Sequence, residues 1–180
     1  GVLLSHPPVP AEIVVSREGA VDATVHAGVF RDEAGQVAAI VVNAACHPVH
    51  EMCIPLVSPD YPGVMSAALE RQFPGARVLF LNGADGNVNS PTVSGGAAAA
   101  EAHGLRLAEI VDSTLSEACP VEDRGLDLAW GSLELPARSG GGNGKPASIR
   151  AQLAGLRIGN VAFCFIPGEP FAETGLAIRA

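Results

Sequence analysis

The chain has 180 residues, 48% of them hydrophobic, and a formal charge of -8 with only 11 Lys plus Arg. A chain of this length buries roughly 70% of its unfolded surface, so one globular domain over residues 1–180 is expected. The acidic balance and the lack of a basic cluster exclude a nucleic-acid phosphate backbone as partner. No apolar run reaches the roughly 20 residues of a membrane-spanning helix.

The start of the chain lacks the charged and apolar regions of a signal peptide, and it does not begin with Met. Its last ten residues read as a helix without a stop signal, so the chain is expected to be a fragment cut at both ends. Cys46, Cys53, Cys119 and Cys164 form neither a C-x-x-C pair nor a disulfide scaffold. Cys164 falls in an apolar run and reads as a buried thiol.

Taken in order, residues 1–10 carry Pro7, Pro8 and Pro10 and read as an extended lead-in, with His6 as a solvated residue. Val21, Ala23, Val25, Ala27 and Val29 alternate with polar residues, the period of a half-buried strand whose polar face takes His26. Residues 37–42 are continuously apolar and largely β-branched, which predicts a central strand covered on both faces. That run empties into Asn43-Ala44-Ala45-Cys46-His47-Pro48. His50-Glu51 opens like the zinc helix motif H-E-x-x-H, but Ile54 holds the second histidine position and the motif fails.

Asp60-Tyr61-Pro62 opens a helix that runs with helical period to Pro74-Gly75, which gives Asp60 a plain capping role. Residues 78–81 read as a second buried strand, emptying into Asn82-Gly83-Ala84-Asp85-Gly86-Asn87-Val88-Asn89-Ser90-Pro91. This loop imitates the start of a calcium loop but lacks its required Gly and final Glu, and it lacks the Lys of a phosphate loop. A long helix follows Ser94-Gly95-Gly96, with Leu107, Ile110, Val111, Thr114, Leu115 and Ala118 on its packed face and His103 on the surface.

Residues 126–135 alternate as a strand, and Ser139-Gly140-Gly141-Gly142-Asn143-Gly144 is a flexible connection. Residues 150–157 and 161–166 read as a hairpin across Gly159-Asn160. The latter strand, also read as buried, runs into Pro167-Gly168-Glu169-Pro170. The expected fold is therefore α/β, a mixed β-sheet with flanking helices, with the site at the carboxyl ends of its central strands. There His47, Asn87 and Glu169 are expected to converge, each following a buried strand of one sheet. An imidazole and a carboxylate together suit a zinc-type cation.

Four segments also resemble, in matching order, the neutral/alkaline ceramidase family: Ala45-Cys46-His47-Pro48, Ser58-Pro59-Asp60-Tyr61-Pro62-Gly63, the 82–91 loop, and Ile166-Pro167-Gly168-Glu169-Pro170-Phe171. The resemblance implies a zinc-dependent amidohydrolase acting on the amide of ceramide or a related N-acyl lipid. It also implies His47 and Glu169 as metal ligands. The family's further zinc histidine, from a Thr-His-Thr-His-type segment, and its tyrosine ligand have no counterpart between Gly1 and Ala180. At the family's catalytic serine stands Asn89, so Asn89, Asn87 and Asp60 are the candidate catalytic residues.

The resemblance favours an extracellular or periplasmic protein, and the Gly-rich link at 140–144 is shorter than the corresponding family region. The alternatives are a catalytically lapsed member kept as a binding or structural module, and a protein whose loops are mere turns with a structural His47. With two of the ligands absent, the chain alone is expected to fold poorly and to bind zinc weakly, and with flanking segments missing its uncovered sheet edges or apolar faces are expected to associate.

Overall fold

The computed structural model describes residues 12, 19–52, 54–121, 125–136 and 148–180. The proline-rich lead-in with His6, Cys53 and the Gly-rich link at 139–144 lie outside the described residues. The chain divides into two compact units, residues 1–118 with 170–180, and residues 119–169.

The first unit holds a three-stranded mixed sheet in the order β1-β2-β3, from β1 (His26–Arg31), β2 (Val37–Ala44) and β3 (Arg77–Asn82). β1 runs antiparallel to β2, and β3 runs parallel to it. A parallel pair needs a crossover, and here α1 (Asp60–Gln72) supplies it. The central place expected of the 37–42 run is the one β2 occupies.

β1 is shorter than the alternation suggested. Its first pair is His26 with Asn43, one residue before β2 ends, so Val21 to Val25 have no partner strand to extend along. Val21 is accordingly 53% exposed, whereas Val25 packs against the core.

Ile40 and Val42 lie two apart on one face of β2 and are fully buried. They form a cluster with Tyr61, Met65 and Leu69 of α1 and with Leu107, Ala108 and Val111 of α2 (Gly96–Leu115). The helices lie close because Gly104 faces α1. A Cβ there would stand 2.5 Å from Val64 Cβ and 2.6 Å from the Tyr61 carbonyl oxygen. β3 departs from its reading as a buried strand, since at the edge of this sheet it leaves Leu79 54% exposed.

The unit ends in α3 (Ala172–Arg179). Arg179 reaches back to His26 and to Asp22, the latter a very short ion pair.

The second unit is an antiparallel sheet in the order β4-β5-β6, from β4 (Leu126–Pro136), β5 (Ser148–Ile158) and β6 (Val161–Phe165). β5 and β6 form the hairpin across Gly159 and Asn160 that the sequence indicates, with Ile158 opposite Val161. The expectation that the strand before Glu169 is buried and shares a sheet with β2 and β3 is corrected here. β6 belongs to a separate sheet, and Val161, Cys164 and Phe165 are exposed. Cys164 is therefore not the buried thiol its apolar neighbours suggested. The fold class is α/β, with two small sheets and flanking helices.

Candidate functional site

β2 and β3 are parallel neighbours, so the loops that leave their carboxyl ends start side by side. The backbone joins these loops directly. His47 N–H donates to the Val88 carbonyl at 3.0 Å, and His47 pairs with Asn89 in an isolated parallel bridge. The ring of His47 turns its Nδ1 toward Asp85 Oδ2 at 3.7 Å, with the two side chains 17% and 4% exposed. A carboxylate behind one ring nitrogen is the arrangement that holds metal-bound histidines in a fixed tautomer and orientation, with the opposite nitrogen as donor.

Of the residues singled out in the sequence, the first unit thus brings together His47, Asn87 and Asn89. Asn87 is buried, and it fastens the loop to α3. Its Oδ1 accepts the Ala172 N–H at 2.8 Å, and its Nδ2 donates to Glu173 Oε2 at 3.0 Å. Gly86 N–H adds a bond to the Pro170 carbonyl at 3.0 Å. Asn87 so caps the amino end of α3 from another segment, because the helix has no side-chain cap of its own. Glu169 is an exposed residue of the second unit, at its boundary in sequence with Pro170.

Asp60 sits at the start of α1 at φ 47°, a left-handed conformation that Asp tolerates better than most side chains. It is 4% exposed. Its Oδ2 accepts the Glu51 N–H and its Oδ1 the Tyr61 N–H, both at 2.7 Å. Ser58 completes the turn by donating a very short bond to Glu51 and accepting the Asp60 N–H. The carboxylate holds the turn and the residue that enters it.

Tyr61 then reaches the site. Its hydroxyl donates to the Cys46 carbonyl at 2.5 Å, directly before His47. Burial, then the nearby Cys46, Asp85 and Asp60, push the Tyr61 phenol up and keep it a donor. Burial pushes the Cys46 thiol up to about 12, with Asp85 and Asp60 adding to it, so it stays protonated at neutral pH.

Two histidines that the sequence reading left without a role complete this wall. His50 is 1% exposed, with Nδ1 2.9 Å from the Thr92 carbonyl and Nε2 2.9 Å from His103 Nδ1. His103 is partly buried rather than on the surface, and its ring stacks on Tyr61 at 4.0 Å and 16°. No local pattern marks this pair, because 53 positions separate its members. Among the described residues, no group of three or more His, Cys, Asp or Glu side chains is arranged to hold a metal ion. The described residues do not by themselves make a metal centre.

No protein-family profile and no curated protein sequence matches the chain. Among solved structures it is similar to neutral ceramidase from Pseudomonas aeruginosa, with a TM-score of 0.73 and 16% identity over 89% of this chain. The chain has the fold of part of a neutral ceramidase. A second structure, a ceramidase complexed with C2, matches with a TM-score of 0.72 and 14% identity, again over 89% of the chain. The chain spans 36% and 38% of these two ceramidases. No helix among the described residues is long and apolar enough to cross a membrane.

Proposed function

We propose that this chain is part of a zinc-dependent hydrolase of amide bonds, acting on an N-acyl lipid of the ceramide class. The observation that carries the reading is the ceramidase fold over 89% of the chain. The parallel β2–β3 pair adds support, since it carries a histidine backed by a buried carboxylate to the carboxyl ends of its strands.

In this reading His47 and Glu169 hold the metal together with ligands from outside these residues. A zinc held there would supply Lewis-acid polarisation of the scissile carbonyl and a water whose pKa is lowered to about 7. The chain's own residues do the holding. Asp85 orients the His47 ring, Tyr61 anchors the carbonyl before it, and Asp60 secures the turn that delivers Tyr61. Asn89, or the second amide hydrogen of Asn87, donates to the oxyanion, a contact whose loss costs about 3 to 4 kcal/mol in other enzymes.

The test is zinc-dependent release of fatty acid from N-acyl substrates by the intact protein, with metal analysis alongside. Failure to turn over any amide or ester, with zinc present and the fold intact, refutes the reading. One specific residue favours a second reading. Asn89 stands where the resemblance places a serine, and a lapsed member that only binds its ligand predicts activity appearing in Asn89→Ser from none in the parent. Loss of an existing activity in Asn89→Ala decides for the enzyme.

A further inference from the structure

His50 grips the start of α2 in three ways. Its carbonyl accepts the Gly96 N–H at 2.8 Å, its Nδ1 meets the Thr92 carbonyl, and its Nε2 meets His103 about two turns into the helix. The preceding Val49 carbonyl accepts the Ser94 N–H at 2.9 Å. The same short loop carries His47 three residues earlier. Whatever loosens the His50–His103 contact therefore loosens the segment that carries His47.

The pairing is legible atom by atom. A carbonyl only accepts, so His50 Nδ1 bears a hydrogen, and in the neutral ring Nε2 is then an acceptor. His103 Nδ1 accordingly donates to it, and His103 Nε2 holds the remaining lone pair. One proton can enter there without breaking the contact. A second proton, on His50 Nε2, sets two N–H groups against each other at 2.9 Å and cannot be accommodated.

We propose that His50 and His103 form a proton-sensitive latch that holds the 45–50 loop on α2 when the pair is neutral and releases it when both rings are charged. This rests on the proposed function only for its consequence, the placing of His47; the latch itself stands on the geometry. The groups that face the pair are Tyr61 and Asp60 on α1 and the uncharged Thr92 on the turn, which Ser90 holds in place. Burial, then the charge on His50, hold His103 below its ordinary value of 6.5, against a smaller opposing pull from Asp60.

The sign follows from linkage. A folded-state value below the unfolded one means that the latch contributes fully above pH 6.5 and that this contribution is lost as pH falls below it. Each extra proton taken up on opening shifts the opening equilibrium by about tenfold per pH unit.

The experiment is amide hydrogen exchange on the intact protein, with metal-free buffer, at pH 7 and at pH 5, expressed as protection relative to the free peptide. Its probes are the N–H groups of His47, Ser94 and Gly96. These should lose protection by tenfold or more on acidification in the parent, while amides of β2 do not. In His103→Asn, whose side-chain amide can still donate where Nδ1 stands but cannot charge, the loss should shrink to threefold or less. Equal losses in parent and variant, or none in the parent, overturn the proposal. Should the variant not fold, ring nitrogen NMR of the parent decides. Two coupled steps support the latch, and two independent titrations at the ordinary histidine value refute it. Neither readout depends on hydrolysis, so a failed latch and a failed enzyme are told apart.

Discussion

Removing the Asp60 carboxylate tests how the turn before α1 is held. Its two oxygens accept N–H groups of Glu51 and Tyr61 at 2.7 Å in a residue that is 4% exposed. Hydrogen bonds to a charged group contribute about 1.5 to 3 kcal/mol each, and their loss leaves both donors to be satisfied elsewhere. Taking away a buried charge offsets part of this. A net loss of about 3 kcal/mol is expected for Asp60→Ala.

The φ of 47° separates the substitutions further. Left-handed backbone costs an ordinary side chain about 1 to 2 kcal/mol, which Ala feels and Gly does not, while Gly costs up to about 1 kcal/mol in chain entropy. Asn tolerates the conformation and keeps one acceptor oxygen. The expected order of stability is therefore Asp, Asn, Gly, Ala. Urea unfolding of the intact protein, followed by far-ultraviolet circular dichroism, measures it. The reasoning is refuted if all three variants unfold within about 0.5 kcal/mol of the parent, the usual range of an uninvolved surface change.

Tyr61→Phe should cost about 1 to 3 kcal/mol, because the Cys46 carbonyl loses its donor without any loss of ring packing; denaturant midpoints will show it. Gly104→Ala should destabilise despite a helix-propensity gain of about 1 kcal/mol, since the added Cβ meets the Tyr61 carbonyl oxygen at 2.6 Å and the helices must part. A rise in melting temperature would contradict that packing. Alkylation at pH 8 followed by mass spectrometry should find Cys119 and Cys164 modified well before Cys46. The first two are exposed, and the Cys46 thiol, pushed up to about 12, holds almost no thiolate there.

What the sequence discloses is what neighbouring residues decide among themselves. The β-branched run at 37–42 marks the central strand, the period after Pro62 marks α1, and Gly159-Asn160 between two strand patterns marks the hairpin. Partner choice is another matter, because it is settled by residues far apart in the chain. Nothing around Val161 says that the hairpin its strand forms with β5 is extended by β4 instead of joining β2 and β3. Nothing around Leu79 says that it lies on an uncovered face of an edge strand. At the site, the neighbourhood of His47 and the 85–89 loop was readable because each loop leaves a parallel strand at the same end. The roles of His50 and His103 were not, since an apolar helix face with a histidine in it gives no hint of the ring waiting across from it. Asn87 shows the same limit, as a loop amide whose partners lie 85 positions away.

That last bond has a consequence for the making of the protein. The first unit is written in two instalments, residues 1–118 and 170–180, with the whole second unit in between. Its closing contacts join Asn87 to Ala172 across 85 positions and Asp22 to Arg179 across 157. At roughly 5 to 20 residues per second of synthesis, Asn87 waits about 4 to 17 seconds before Ala172 exists. During that interval the 85–90 loop lacks its bonds to Pro170, Ala172 and Glu173, and the first unit's three-stranded sheet, already synthesised, still lacks α3. The nascent protein is thus most exposed to misassociation after β3 is complete and before α3 arrives. Codons that slow the ribosome in the second unit lengthen that window and do not protect the first.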